Sequence, residues 1–252
     1  MTVVKFKNSP LVETVFTVIF DAPGFSSIHF GLYWESIRDG FPLQKDASPL
    51  EVEDDQDTFL PRVLFLSADR RKMIQLQENC FIFNYEVNNQ SVSENNKISD
   101  FFDLWDQLEN WWKNYSQEPI NIHRYQLAYL NVINKPLGWE STKDHSKIFR
   151  VIKPNFSNTL GIPNSLDFKM QFSLPKDLGE LYLQAEQVST SDDEEEEGGL
   201  TEDSIHLQLV ASSIDATIPL KHWFISANEY TVKAFLDITT EEAQKIWGSY
   251  NE

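Results

Sequence analysis

Cysteine is nearly absent. Cys80 stands alone among 252 residues, so no internal disulfide can form and the chain suits a reducing compartment. No apolar run approaches the ~20 residues a membrane helix needs, and the opening MTVVKFKNSP lacks the basic-then-apolar pattern of a secretory leader. These absences predict a cytoplasmic protein. Cations are scarce, with 21 Lys and Arg against 39 Asp and Glu for a net charge of −18, a balance that disfavours binding to nucleic-acid phosphates. Catalytic signatures are missing as well. No GxGxxG or GxxxxGK[ST] brings backbone amides to a phosphate, and no GxSxG elbow presents a serine. The five histidines at 29, 123, 145, 206 and 222 include no i, i+4 pair of the kind that binds zinc. No catalytic residue, metal or cofactor is therefore predicted.

What is present argues for a packed globular chain: 41% hydrophobic residues and seven tryptophans. Cys80 lies in the strand-like CFIFNYEV and reads as a small core residue. The acidity is uneven. Residues 177–252 hold seventeen acidic and three basic residues, a balance of −14, against −4 for residues 1–176. A field of that sign suits solubility, a basic protein partner or mimicry of nucleic acid.

The periodicity predicts an α+β fold with antiparallel sheet backed by helices. KFKNSPLVETVFTVIF reads as a strand from Leu11 onward, with Leu11, Val15 and Ile19 beside Glu13 on one face and Val12, Phe16, Val18 and Phe20 on the other. SSIHFGLYWESIRDGFP reads as a helix ended by Gly40 and Pro42, and QKDASPLEVEDDQD as an acidic loop. LPRVLFLSADRRKMIQLQENCFIFNYEV reads as three strands turning at 68–71 and 78–79. KISDFFDLWDQLENWWKNYSQ follows as a helix, then INIHRYQLAYLNVI as a long strand. Residues 1–134 thus form a ferredoxin-like, split β-α-β unit with an extra strand. Residues 135–165 are an irregular connection with a short helix near 141–149. Residues 166–252 supply three strands and a C-terminal helix from Leu220, extending the first sheet or forming a paired one, with a last capped turn at Thr239 or Thr240. No tandem repeat is visible. STSDDEEEEGG, residues 189–199, reads as a mobile hairpin loop, and Asp192, Asp193, Glu194, Glu195, Glu196 and Glu197 in it are candidates for contact with a basic partner.

Two other groups of residues are candidates for a site. Glu13, Gln75, Asn84, Arg124 and Asn131 are polar residues inside apolar strands. Such groups are costly when buried without hydrogen bonds, so they are expected to meet one another, with Glu13–Arg124 as the preferred pair. They form either a structural network or a ligand pocket. Arg70 and Arg71, in Asp69-Arg70-Arg71-Lys72, sit at a hairpin tip where two guanidiniums could grip an anion. His206 and Gln208 share a strand face and read as packed or surface residues.

Several short motifs resemble a sporadically distributed family of uncharacterised bacterial proteins. They are Phe6, Asn8, Pro10, Leu11, Glu13, Val15 and Phe16; Asp69, Gln75-Leu76 and Asn84-Tyr85; Tyr129-Leu130-Asn131 with Ile133; and Phe235, Ile238 and Thr239. The likeness covers most of the chain but departs from it at Ala128, Val132 and Asn228. There the family often carries arginines and a histidine, so the resemblance implies that an anion site served by those residues is either lost here or shifted to Arg124. The family implies no reaction. Its patchy distribution suggests defence-linked or toxin-linked genes. The leading expectation is a non-catalytic accessory, sensor or neutralising protein that binds a basic protein surface through its acidic C-terminal third. An enzyme or small-anion-binding domain is the alternative, and an acidic nucleic-acid mimic the third.

Overall fold

A computed structural model describes residues 4–50, 61–87, 94–152, 161–188 and 203–251. Its strands are β1 (Val4–Phe6), β2 (Leu11–Phe20), β3 (Leu43–Ala47), β4 (Arg62–Leu66), β5 (Lys72–Gln77), β6 (Cys80–Glu86), β7 (Ile122–Ile133), β8 (Asp167–Leu174), β9 (Gly179–Val188), β10 (Ser204–Ser212) and β11 (Ser249–Asn251). Its helices are α1 (Ser27–Ile37), α2 (Glu94–Trp112), the single turn α3 (His145–Ile148), α4 (Leu220–Ile238) and α5 (Glu241–Ile246), the last capped by Thr240, whose hydroxyl accepts from the Ala243 N–H.

Alternation in β2 decides the two faces of the sheet. Thr14, Phe16, Val18 and Phe20 are buried on one face, and Glu13, Val15, Thr17 and Ile19 occupy the other. Leu11 does not join Glu13 as the simple alternation predicts. Leu11 pairs with Asn131 and Glu13 with Leu130, so two steps along β2 match one along β7. This bulge at Val12 turns Leu11 to the buried side.

The even residues of β2 meet an aromatic layer. Phe16 stacks on Phe101 of α2 and touches Phe224 of α4. Trp105 packs on Phe20 and Phe81, and Tyr33 of α1 on Phe65 and Trp111. Phe101, Trp105, Leu108 and Trp112 are spaced by three or four residues, which puts their rings on one side of α2. At one end of this layer Phe6 packs on Phe235 and Trp247, where β1 and β11 form a two-stranded ribbon.

The other nine strands form one antiparallel sheet in the order β3-β4-β5-β6-β2-β7-β10-β9-β8. The second group of strands extends the first sheet, because β10 pairs along β7 from Ile205–Ile133 to Ser212–Gln126. β3 was read as part of an acidic loop. Leu43–Ala47 is instead an exposed edge strand, and with no core to face it has no apolar alternation to betray it.

The order holds a symmetry that residue-by-residue comparison does not show. With α1, β3 and α3 set aside, β2 is followed by β4, β5, β6 and α2, and β7 by β8, β9, β10 and α4. In the sheet these strands read β4-β5-β6-β2 and then β7-β10-β9-β8. A pseudo-twofold axis between the antiparallel pair β2 and β7 relates the halves, and α2 and α4 each span nineteen residues.

Candidate functional site

α1, α2 and α4 pack on one face of the sheet, and among the described residues no helix packs on the other. The register decides which polar side chains meet there. Across β4, β5, β6 and β2 they form a ladder. The Arg62 Nη1 donates to the Gln75 Oε1 (2.9 Å), the Gln75 Nε2 to the Asn84 Oδ1 (2.6 Å), and the Asn84 Nδ2 to the Glu13 Oε1 (2.7 Å). Gln75 and Asn84 are buried. Every donor points toward the carboxylate and both amide oxygens point back toward the guanidinium, so the dipoles align and reinforce one another.

Beside the ladder the chain itself crosses this face. Buried Gln77 clasps the backbone of Leu50: the Leu50 N–H donates to its Oε1 (2.7 Å) and its Nε2 donates to the Leu50 carbonyl (2.9 Å). Cys80 is enclosed at the same end, and burial pushes its thiol up to about 12. That fits a packing residue and not a nucleophile.

Three of the five polar strand residues, Glu13, Gln75 and Asn84, therefore meet; Arg124 and Asn131 stand apart from them. Arg124 is opposite Ile19, whereas Glu13 is opposite Leu130. Six residues of strand, about 20 Å at ~3.3 Å each, separate the two levels, further than both side chains together span. The preferred Glu13–Arg124 contact is thus replaced by Glu13–Asn84. Asn131 is buried on the helix side, where its Nδ2 donates to the Leu207 carbonyl (3.1 Å). Arg62 was missed as a partner, because its place on an outer strand cannot be known before the strand order.

At the β4–β5 turn, Asp69 holds the chain. Its Oδ1 accepts from the Ser67 hydroxyl (2.7 Å) and the Arg71 N–H (3.1 Å), and these bonds keep its carboxyl below the usual range. Arg70 is exposed in the left-handed region at φ 60°. Arg71 is half-buried beside Glu86, whose N–H donates to the Arg71 carbonyl. The acidic run Asp192–Glu197 lies outside the described residues, as do Glu51, Glu53, Asp54, Asp55 and Asp57.

Over the second half, the same face carries a groove of about 370 Å³ lined by Val12, Leu130, Val132, Gln184, His206 and Gln208 together with Glu186. Cross-strand pairing sets these residues in two rows. One runs Glu13, Leu130, Gln208, Gln184 and Lys169, and the other Val132, His206, Glu186 and Asp167. The Gln184 Nε2 donates to the Glu186 Oε2 (3.0 Å). Gln208 is exposed and its amide has no partner among the described residues, and the His206 Nε2 is shielded from solvent without a hydrogen bond. Asp167 and Glu186 stand directly opposite, a like-charge pairing that costs energy in a sheet. Sequence reading placed His206 and Gln208 on one face; Gln184, Glu186 and Lys169 join them only through the register of β8, β9 and β10.

Elsewhere, Asp21 at the end of β2 bonds His123 and Asn121. The His123 contact, with that of Asn121, holds its carboxyl below the usual range, but the group is fully exposed. Among the described residues no three His, Cys, Asp or Glu side chains are grouped to hold a metal ion, and no helix is long and apolar enough to cross a membrane. No protein-family model matches the chain, and no protein of curated function matches it.

Proposed function

We propose that this is a non-catalytic binding protein that takes a basic surface of another protein against its acidic C-terminal third. The groove on the second half of the sheet carries the reading: Glu186 lines it, and Glu13 and Asp167 stand in the same cross-strand rows, with Lys169 at the far end of one row. This local excess of carboxylates has the sign of the −14 balance over residues 177–252, so a cationic partner is both steered to this region and held there. The run Asp192–Glu197, which connects β9 to β10 in sequence, adds to the same field. A role as accessory, sensor or neutralising partner in a bacterial defence or toxin-linked system, in the cytoplasm, fits a binding surface without catalytic groups.

The alternative small-anion pocket, built from Glu13, Gln75, Arg124 and Asn131, draws little from the geometry, because these four side chains do not converge. We further read the order β7-β2-β6-β5, with α1 after β2 and α2 after β6, as a split β-α-β unit.

Titration with poly-lysine tests the electrostatic reading. Binding is expected to weaken by about tenfold or more between roughly 50 and 300 mM salt, and to weaken on deletion of residues 190–199. Absence of binding, or binding indifferent to salt, refutes it.

A further inference from the structure

Resting on that reading, we infer that the groove is a docking site for an extended basic segment of a partner protein, with a lysine or arginine ammonium or guanidinium group over Glu186 and Asp167. The occupant follows from the chemistry of the two rows. Val12, Leu130 and Val132 make an apolar floor, on which the aliphatic stem of a long cation packs while its head reaches the rim. Asp167 and Glu186 stand opposite each other, and a positive group there relieves their repulsion. The His206 Nε2, on the residue paired with Glu186, has no hydrogen bond and is an unused polar atom beside the carboxylate. Lys169 lies at the far rim, opposite Gln184, so it does not cancel the acidic charge at the Glu186 end.

The main chain of the segment is provided for as well. In the first half of the sheet, Gln77 holds the N–H and carbonyl of Leu50 with one side-chain amide. The second half presents amides on the same face at Gln184, on β9, the counterpart of β5, and at Gln208 on the neighbouring β10. Gln208 has its donor and acceptor free among the described residues. In the first half the chain's own Leu50 takes the amide of Gln77, and the second half carries an amide for a segment supplied from outside.

The probe is a soluble octapeptide of alternating lysine and valine, blocked at both ends, with the glutamate–valine peptide as control. Calorimetric titration of the full chain is expected to show binding of the basic peptide only. Val132→Trp, which fills the groove, and Glu186→Gln are each expected to weaken it about tenfold, and Gln208→Ala, at an exposed site that leaves the core untouched, about threefold. If Val132→Trp fails to fold, Glu186→Gln and Gln208→Ala carry the test. Equal affinity for wild type and these variants overturns the groove while leaving the electrostatic reading intact, as does poly-lysine binding without peptide binding. Loss of both peptide and poly-lysine binding removes both proposals.

Discussion

Replacing Asn84 with alanine cuts the ladder at its centre. The variant loses the bond from the Gln75 Nε2 and the bond to the Glu13 carboxylate. A neutral hydrogen bond contributes about 1 kcal/mol net and one to a charged group about 1.5–3 kcal/mol, and stranding a buried donor adds to the loss. Since Gln75 is buried, its amide cannot turn to water, so the expected destabilisation is about 3–4 kcal/mol. Urea unfolding followed by tryptophan fluorescence measures it, with seven tryptophans as reporters. Double-mutant cycles then locate the interaction. Glu13→Gln with Asn84→Ala should couple by about 1 kcal/mol or more, whereas Glu13→Gln with Arg124→Gln should add to within ~0.5 kcal/mol, as distant sites do. A loss below about 1 kcal/mol for Asn84→Ala, or strong coupling between Glu13 and Arg124, refutes the ladder.

Two further outcomes follow from buried sites. His145 is buried and stacked on Trp139, and burial lowers its pKa against the opposing pull of Asp144. The unfolded histidine takes a proton near pH ~6.5 while the folded one resists, so this contribution is whole above that pH and is lost as pH falls below it. His145→Phe, which keeps the stack, should flatten the pH dependence of the unfolding midpoint between about 5 and 7; an unchanged slope rules the assignment out. Gly179 opens β9 at φ 109°, and a Cβ there would stand 2.0 Å from the Ser212 carbonyl oxygen. Gly179→Ala should cost about 3 kcal/mol or more in thermal or urea unfolding, and a near-neutral effect contradicts the close approach of β9 to β10.

The polar ladder was legible as a set of residues because glutamate, glutamine and asparagine inside apolar strands demand partners wherever they fold. Their pairing was not. Which residue faces Glu13 depends on the order β5-β6-β2-β7 and on the register of each pair, and neither is written in local alternation. Asn131 shows the difficulty: Glu13 is opposite Leu130, so the residue after Leu130 faces the helices. The main helices and eight of the strands announce themselves by period, since each buries a side. The three-residue β1 and β11 and exposed β3 carry too little apolar pattern to be read. The twofold relation escaped because it resides in the succession and placement of elements, while the side chains of the two halves differ, a polar ladder in one and a groove in the other.

The central pairing of β2 with β7 also sets a timetable. β2 and β6 are complete once residue 86 has been made, but the other edge of β2 waits for residues 122–133, and the outer edge of β7 waits for residues 204–212. Loop closures of this span are slow to find, so a chain emerging from the ribosome carries an open strand edge for most of its synthesis. The sheet grows outward from its first strand, and until β10 arrives β7 is the edge at which two nascent copies can mispair.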